Sequence, residues 1–464
     1  MEKTLKGRKH FLAAALVAAS AVTGCGGGSS APPPGTNPGT GSAVVQMQDA
    51  PLDNLVKFEI TLVSITLNPG NVSVVSSPVE VELTSLQLQS ELIRLASNVT
   101  AGSYTSVTIQ FSNPEIKFCP DPPTACTPQS IQEVNPPLQA MSVTKDASIN
   151  IPNGGSVGLL IDFDLRASIV GGVTGPITGV NPVFTVSVVN VGAQQDELEA
   201  TGRVVSVNRT SATSGSFVLE VSENCQQVTL TVDASTVFED FSEASLANSF
   251  ESLAANQMVE AEADVRLDGT LLAKEVELED TENEEKAEGV IVGVSRGVGG
   301  DVTSFTLVAH EVVPCSAAAL TDDTITVTIG ATLPEFRIDE GELSVDPSLF
   351  DDPSDLSVGQ KVEVDPVGSM GTSITAEEIK LKDQTLGGTV NGAPAPPDFE
   401  LAPSSTLVQG VDASVTVETS SQTEFDGVSG VSGLTSGQAL RVRGLLFWDG
   451  TDLILVAKKV DATP

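Results

Sequence analysis

The peptides ATGRVVSV (residues 200–207), AEGVIVGV (residues 287–294) and LGGTVNG (residues 386–392) open three stretches of the chain that follow one pattern. Each opening places a glycine before a Val- or Thr-containing run, which is typical of a β-strand. Each continues into a Phe-x-Leu strand, at residues 217–219, 305–307 and 399–401. Matched spacing in three copies indicates a duplicated structural unit.

Further signatures complete each unit. A Val/Thr strand ends in a Thr and a Phe, which are Thr236 and Phe238, Thr332 and Phe336, and Thr423 and Phe425. Then come a leucine, a glutamine and an apolar residue, which are Leu253, Gln257 and Val259, Leu356, Gln360 and Val362, and Leu434, Gln438 and Leu440. The final strand carries Ala273 and Val276, Ala376 and Ile379, or Ala457 and Val460. About five strands per unit predict a small, OB-like closed barrel, since closure leaves few open strand edges.

The stretch before the repeats, residues 43–192, shows apolar and polar residues in alternation. Val56, Phe58, Ile60 and Leu62 alternate with polar residues, and the segment at 157–165 does the same. A period of two indicates half-buried strands, and the Pro and Gly clusters between them are typical of an antiparallel sandwich. Residues 86–96 could form a short helix. The predicted fold is therefore all-β, with an N-terminal antiparallel β-sandwich followed by three barrels.

The N-terminus has the composition of an export signal. A basic start precedes an apolar run of 12 residues at positions 11–22, which is too short to span a bilayer. The tetrapeptide Val22-Thr23-Gly24-Cys25 resembles the lipobox of bacterial lipoproteins, and that resemblance implies cleavage before Cys25 and acylation of its thiol, with palmitate as one expected group. The predicted organisation is a signal peptide at 1–24, a lipidated cysteine and Gly/Ser/Pro tether at 25–42, the sandwich at 43–192, and barrels at 198–280, 286–383 and 385–462.

Two further resemblances cover most of the chain. The peptides VVQMQDAPLDN (residues 44–54), AGSY (residues 101–104) and LLIDFDL (residues 159–165) resemble a family of bacterial lipoprotein domains of unknown function, DUF 4382. The repeats, with G-x-V at their start and L-x-x-G-Q-x-V before the last hairpin, resemble a second such family, DUF 5666. The first repeat departs from this pattern, because Asn256 stands where the glycine is expected. Neither resemblance brings a catalytic residue.

Charge limits the partners. The formal net charge is −38 and the pI is about 4.1, so nucleic-acid phosphates would repel the chain and no nucleic-acid partner is expected. Membrane contact is expected through the lipid alone, and envelope proteins or glycans are the candidate partners. The expected location is the cell envelope, periplasmic or surface-facing. The outer membrane is favoured in a Gram-negative cell, because Gly26 rather than aspartate follows Cys25.

Four further cysteines are disulfide candidates in an exported protein: Cys119, Cys126, Cys225 and Cys315. A local bridge between Cys119 and Cys126 is the simplest arrangement. Cys225 and Cys315 would then pair across two units or stay free.

Residues that could carry chemistry are few. His310 is the one histidine beyond His10, and its apolar surroundings (LVAHEVV) favour a strand residue over a catalytic one. Asp162 and Asp164 share the outward face of one strand and could bind Ca²⁺, although acidic residues on a solvated strand face are ordinary. Trp448, at a hairpin tip, could stack on a sugar, or pack across the hairpin. No other cofactor is expected.

Three functions stay open at this point. The first is a non-enzymatic, lipid-anchored envelope protein with a structural, adhesive or interaction role. The second is a carbohydrate- or Ca²⁺-binding surface module. The third is a hydrolase that processes envelope polymers, which would need a cleft with paired carboxylates.

Overall fold

Strands dominate the chain, and helices are few and short. The computed structural model describes residues 39–49, 55–86, 91–119, 126–171, 176–189, 198–221, 226–242, 244–266, 270–280, 285–313, 323–339 and 343–462. The chain is 62% strand and 5% helix, which confirms the predicted all-β class. Within the described residues, no helix is long and apolar enough to cross a bilayer.

The N-terminal domain contains twelve of the described strands and two helical turns. The strands are β1 (Thr40–Asp49), β2 (Leu55–Asn68), β3 (Val72–Val75), β4 (Val79–Glu82), β5 (Glu91–Thr100), β6 (Gly102–Phe118), β7 (Gln132–Val134), β8 (Ser142–Ile151), β9 (Ser156–Phe163), β10 (Ile169–Val170), β11 (Gly179–Val180) and β12 (Phe184–Val189). The turns are a 3-10 helix (Leu83–Ser85) and α1 (Leu165–Ser168).

These strands form two principal sheets with one core between them. One sheet has the order β12-β9-β1-β5, and the other has β3-β2-β6-β7, with β4 on β2 and β8 on β6. Strands β10 and β11 form a separate small pair. Four phenylalanines meet in the core, and their rings lie 5.7–6.4 Å apart: Phe58, Phe111, Phe163 and Phe184. The sandwich was therefore predicted correctly.

Two details of the sandwich differ from the sequence-based expectations. Strands β1 and β9 run parallel, with Ala43 opposite Val157, so the antiparallel expectation was wrong for this pair. The helix expected at residues 86–96 was also wrong where the structure describes that stretch, because β5 begins at Glu91 and pairs with β1. Both Leu92 and Ile93 are buried. A strand covered on both faces loses its alternating pattern, which is why sequence periodicity fails here.

The three barrels share one set of elements. In the first these are β13 (Leu198–Ser211), β14 (Ser214–Val221), β15 (Gln227–Val232), β16 (Val237–Glu239), β17 (Met258–Val265) and β18 (Leu271–Asp280). In the second they are β19 (Lys286–Arg296), β20 (Val302–Val313), β21 (Thr324–Thr328), β22 (Glu335–Ile338), β23 (Lys361–Pro366) and β24 (Ser373–Leu381), with 3-10 helices Pro347–Leu349 and Pro353–Asp355. In the third they are β25 (Gln384–Ala395), β26 (Asp398–Pro403), α2 (Thr406–Gln409), β27 (Val415–Glu418), β28 (Glu424–Asp426), β29 (Ala439–Trp448) and β30 (Leu453–Asp461), with a 3-10 helix Val431–Gly433.

Each barrel closes through the same five strands. In the first, β13 pairs with β14 and β17, β14 with β15, and β17 with β18, and a parallel pairing of β15 with β18 completes the ring. The other two barrels repeat these pairings strand for strand. The short strands β16, β22 and β28 add to the last strand outside the ring. The prediction of three five-stranded barrels is thus confirmed.

The glycine that opens each repeat lies where two strands approach closely. A Cβ at Gly202 would meet the carbonyl oxygen of Glu220 at 2.3 Å. The equivalent distances are 2.1 Å for Gly289 to Val308 and 2.5 Å for Gly388 to Ala402. A side chain would separate these strands, so glycine is required for closure.

The repeated glutamine ties the loop before the fourth ring strand. Its Oε1 accepts a hydrogen bond from the backbone N–H three residues earlier, at 2.6 Å in Gln257, 2.6 Å in Gln360 and 3.0 Å in Gln438. Its own carbonyl accepts a hydrogen bond from the first ring strand in each barrel. The side chain therefore satisfies a loop donor that would otherwise lack a partner.

The residue before each glutamine adopts a left-handed backbone. The φ angles are 93° at Gly359, 80° at Gly437 and 74° at Asn256. Glycine populates this region freely, and asparagine is among the few other residues that tolerate it. The departure of the first repeat from the L-x-x-G-Q pattern thus preserves the conformation.

Candidate functional site at the junction of the N-terminal domain and the second barrel

Two lysines that face away from the sandwich core mark this junction. Lys57 on β2 lies directly across from Lys117 on β6. Both are almost fully buried, with 3% and 2% of their surfaces exposed. Lysine is rarely buried unless its charge is paired, and here the pairing comes partly from another domain.

Asp323, immediately before β21 of the second barrel, reaches both lysines. Its Oδ2 lies 2.7 Å from Lys57 Nζ and 3.5 Å from Lys117 Nζ. Within the N-terminal domain, Glu59 lies 2.8 Å from Lys57, and Glu133 lies 3.4 Å from Lys117. Burial alone would lower the pKa of Lys57, but Glu59 and Asp323 raise it above its ordinary value. The lysine therefore stays charged inside the junction.

A pair of carboxyl groups shares a proton beside Lys57. The hydrogen bond between Glu59 and Glu80, with burial and the Glu59 charge, raises the pKa of Glu80 to about 8. Burial opposes ionisation of Glu59, but its hydrogen bond with Glu80 and the charge of Lys57 hold its pKa below the usual value. Two adjacent carboxylates cannot both ionise cheaply, so one carries the proton.

His310 lies on β20 and contacts the N-terminal domain. Its Nε2 donates a hydrogen bond to the carbonyl oxygen of Val56 at 2.8 Å, so Nδ1 is the unprotonated nitrogen of the neutral ring. Nδ1 lies 3.9 Å from Glu82 Oε2 and has no hydrogen-bond partner among the described residues. Burial lowers the pKa of His310. The ring is therefore neutral near pH 7 and acts as a contact between domains.

Ion pairs also extend from this junction to the other barrels. Lys361 pairs with Glu288 at 2.6 Å within the second barrel. Lys380 of the second barrel pairs with Glu279 of the first at 2.8 Å. Arg443 of the third barrel pairs with Asp383 at 2.8 Å, at the boundary with the second. These charged groups link neighbouring domains at several places.

The apolar part of the junction contains a disulfide. Cys119 and Cys126 are bonded, with sulfurs 2.03 Å apart, and both are buried. The structure thus contains the local bridge that the sequence suggested. Their cluster includes Val56 of the N-terminal domain, Val292 and Val308 of the second barrel and Leu407 of the third. The predicted roles of Cys25, Cys225 and Cys315 fall outside the described residues.

Of the two acidic residues predicted as a Ca²⁺ site, Asp162 lies on β9 and Asp164 lies just after it, and Ca²⁺ binding by this pair stays a prediction. Asp164 caps α1, and its Oδ1 accepts the backbone N–H of Ala167 at 2.8 Å. Asp162 is half-buried, and burial raises its pKa. In the described residues, three acidic groups approach one another elsewhere, at Asp351, Asp352 and Asp355, within 4.8 Å.

That second acidic group has a structural role. Asp352 is the N-cap of the 3-10 helix Pro353–Asp355, and its side chain accepts the N–H of Ser354 at 2.6 Å. Asp355 Oδ2 accepts the N–H groups of Asp351 and Asp352 at 2.9 and 3.1 Å. These carboxylates satisfy backbone donors of a turn.

Trp448 ends β29 and lies opposite Leu453 across the last hairpin. It is half-buried and packs against the core of the third barrel. This geometry favours the cross-strand packing interpretation over a freely exposed stacking platform. Stacking on a ligand stays a prediction.

Sequence reasoning missed the two lysines and Asp323. Lys57 lies between Val56 and Phe58, which are buried, and this alternation ordinarily leaves the intervening residue exposed. The local sequence therefore carried no signal for the burial of Lys57. The partner could not be identified, because Asp323 lies 266 residues away.

The fold and junction define a class: a multidomain all-β protein whose domains are joined by buried ionic and apolar contacts. Residues 40–178 match the model of a family described as Domain of unknown function (DUF4382), and residues 201–277 and 400–461 match Domain of unknown function (DUF5666). These matches agree with the two resemblances seen in the sequence. No curated protein and no solved structure matches it significantly.

Proposed function

We propose that this chain is a lipid-anchored protein of the bacterial cell envelope with a non-enzymatic, structural or interaction role. The observation that carries the proposal is the burial of Lys57 and Lys117 at a domain boundary. Contacts of this kind fix the orientation of the domains relative to one another. A partner that binds surfaces of more than one domain would need such a fixed orientation. The lipobox-like peptide ending at Cys25 and the Gly/Ser/Pro-rich stretch after it support the anchor.

The buried ion pairs at this boundary are better explained by domain orientation than by a gain in stability. A buried ion pair gains little net free energy, because desolvation of both charges offsets their attraction. Apolar residues of similar size would stabilise the interface at least as well. Buried lysines at this boundary are therefore expected if a partner recognises the relative position of the domains.

The anchor is tested on protein purified from its native host. Mass spectrometry is expected to find an N-terminal Cys25 carrying fatty-acyl chains, and Cys25→Ser is expected to leave the membrane fraction. Cys225→Ser, matched in chemistry, is expected to stay membrane-bound. An unmodified Cys25 with residues 1–24 still attached would refute the anchor.

The interaction role is tested by crosslinking in intact cells, followed by isolation of the chain. Reproducible envelope partners that disappear in Lys57→Ala, at equal protein levels, would support a fixed body as the binding unit. Partners that bind equally well to Lys57→Ala would argue against that role of the junction.

Calcium binding is a second candidate, favoured by the approach of Asp351, Asp352 and Asp355. Carboxylate oxygens suit this hard cation. An ion that binds only the folded state raises the melting temperature. Calorimetry with 1 mM Ca²⁺ or with chelator, on wild type and Asp352→Asn, removes this candidate if calcium shifts the wild-type transition no more than that of the variant.

A further inference from the structure

The Cys119–Cys126 disulfide lies where three domains meet. Its two sulfur-bearing residues are 1% and 8% exposed. They pack in one cluster with valines of the second barrel and with Leu407 of the third. A disulfide that stabilised the sandwich alone would not need to be buried against two other domains.

The described neighbours of both cysteines also contact the second barrel. Lys117, two residues before Cys119, pairs with Asp323 at 3.5 Å. Pro128, two residues after Cys126, lies against Gly293 so closely that a Cβ there would meet its ring at 2.4 Å. The segments on either side of the disulfide therefore form much of the docking surface.

Burial sets an order of events. In the docked arrangement the two cysteines are 1% and 8% exposed, so a thiol oxidant reaches them far more easily before the domains dock. Oxidation is therefore expected to precede docking. We propose that the Cys119–Cys126 bond is an assembly switch, which shapes the surface of the N-terminal domain that docks onto the second and third barrels.

The chemistry is thiol–disulfide exchange. A thiolate of one cysteine attacks the disulfide of an oxidised dithiol partner and forms a mixed disulfide. The second cysteine, as thiolate, then displaces the partner. One S–S bond forms in the chain, one breaks in the oxidant, and the oxidant leaves with two electrons and two protons as two thiols.

This inference goes beyond the proposed function, because it does not depend on acylation of Cys25. It requires an oxidising compartment, so a chain held in a reducing one would keep its N-terminal domain undocked. Failure of the anchor test and failure of the switch test are therefore distinguishable.

The first test is hydrogen exchange on the full chain, purified after export, in wild type and Cys119→Ser/Cys126→Ser. The variant is expected to exchange at least 10-fold faster in the β19 and β20 segments around Val292 and Val308. The sandwich strands β9 and β12 are expected to exchange as before. Cys225→Ser/Cys315→Ser is the matched control, and its docking surface should keep wild-type protection.

Two outcomes of that test overturn the proposal. Unchanged protection around Val292 and Val308 would show that docking does not need the bond. Loss of protection in β9 and β12 to the same extent would show that the bond supports the sandwich itself.

A second variant keeps the disulfide and disturbs docking. Gly293→Val would push against Pro128, whereas Gly371→Val adds the same atoms where a Cβ meets nothing within 4 Å. Because linkage is reciprocal, weaker docking should expose the bond. Dithiothreitol is expected to reduce Cys119–Cys126 at least 10-fold faster in Gly293→Val than in wild type or Gly371→Val. Equal rates in all three would overturn the proposal.

Discussion

The N-terminal domain meets the second barrel through buried charges beside an apolar cluster, whereas apolar side chains dominate the contact between the second and third barrels. At the first junction Lys57, Lys117 and Asp323 are brought together. At the second, Leu445 and Phe447 on the outer face of β29 pack into the core cluster of the second barrel.

The two junctions stabilise the molecule in different ways. Burial of apolar surface contributes roughly 25 cal/mol per Å² to stability and depends little on the angle between the two domains. Buried charges contribute little when satisfied but cost several kcal/mol when a partner is lost, so they reject misaligned arrangements. The apolar junction should therefore dominate stability, and the ionic junction should dominate sensitivity to pH.

The largest expected effect is at the apolar junction. Phe447→Ala removes a fully buried ring shared by two barrels and is expected to destabilise the protein by about 3–5 kcal/mol. Urea unfolding followed by circular dichroism measures this change. Trp448→Ala, one residue along but half-buried, is the control and should cost clearly less. Equal losses would show that burial between the two barrels is not what makes Phe447 important.

A smaller effect is expected at the ionic junction. Lys57→Met keeps the volume but leaves Glu59 without its nearest cation and Asp323 with Lys117 alone. It should cost about 2–3 kcal/mol, since both carboxylates keep some contact with water. Lys57→Met with Asp323→Leu should recover part of the loss in a double-mutant cycle.

The control for this charge is an exposed pair in the first barrel. Arg266 and Asp233 lie 2.8 Å apart with about half of each side chain exposed. Arg266→Met should change stability by less than about 1 kcal/mol. A loss there as large as that of Lys57→Met would show that burial of the charge is not what matters.

The ionic junction should also make stability depend on pH. Burial lowers the pKa of His310 in the folded state, with Glu82 opposing the shift and Lys361 and Lys57 assisting it. The unfolded chain binds the proton near pH 6.5, so stability present above pH 6.5 is lost as pH falls towards the folded value. His310→Gln can still donate to Val56 but cannot titrate. Its urea midpoint should fall less than that of wild type between pH 7 and pH 5.5.

Two carboxyl groups change the stability with pH in the opposite direction to His310. The measurement to compare is therefore the difference in urea midpoint between His310→Gln and wild type at each pH. The raised pKa values of Glu80 (about 8) and Glu277 (about 7) mean that their protonated forms favour the fold. Their contribution is present at low pH and is lost as pH rises through those values. Parallel pH curves for the two proteins would contradict the role assigned to His310.

The smallest effect is expected within the repeats. Asn256 holds a left-handed backbone that glycine adopts without strain. Asn256→Gly should therefore change the stability of the first barrel by only a few tenths of a kcal/mol, since relief of strain offsets added chain entropy. Gly437→Val, at the equivalent site of the third barrel, should cost more than 1 kcal/mol. A thermal shift assay compares the two.

The barrels could be predicted because their signals are local and repeated. A glycine, a Phe-x-Leu strand and a Leu-x-x-x-Gln loop recur at matched spacing, and each marks a contact within one barrel. The Cys119–Cys126 bridge was also suggested by its short spacing. Such features depend on residues that are close in sequence.

The junction could not be predicted because its contacts join distant parts of the chain. His310 looked like an ordinary strand residue, and it is one, but the carbonyl it contacts belongs to Val56. The parallel pairing of β1 with β9 was missed for the same reason. Strands buried on both faces, such as β5, hide the alternation on which prediction depends.

The burial of lysines has a consequence for degradation. Proteases that cleave after basic residues need an extended, accessible segment, and Lys57, Lys117 and Lys286 lie in paired strands with at most 6% of their surface exposed. Cleavage at these positions would first require a domain to separate or a strand to leave its sheet. Enzymes of trypsin-like specificity would therefore cleave at these lysines only as fast as the local structure opens.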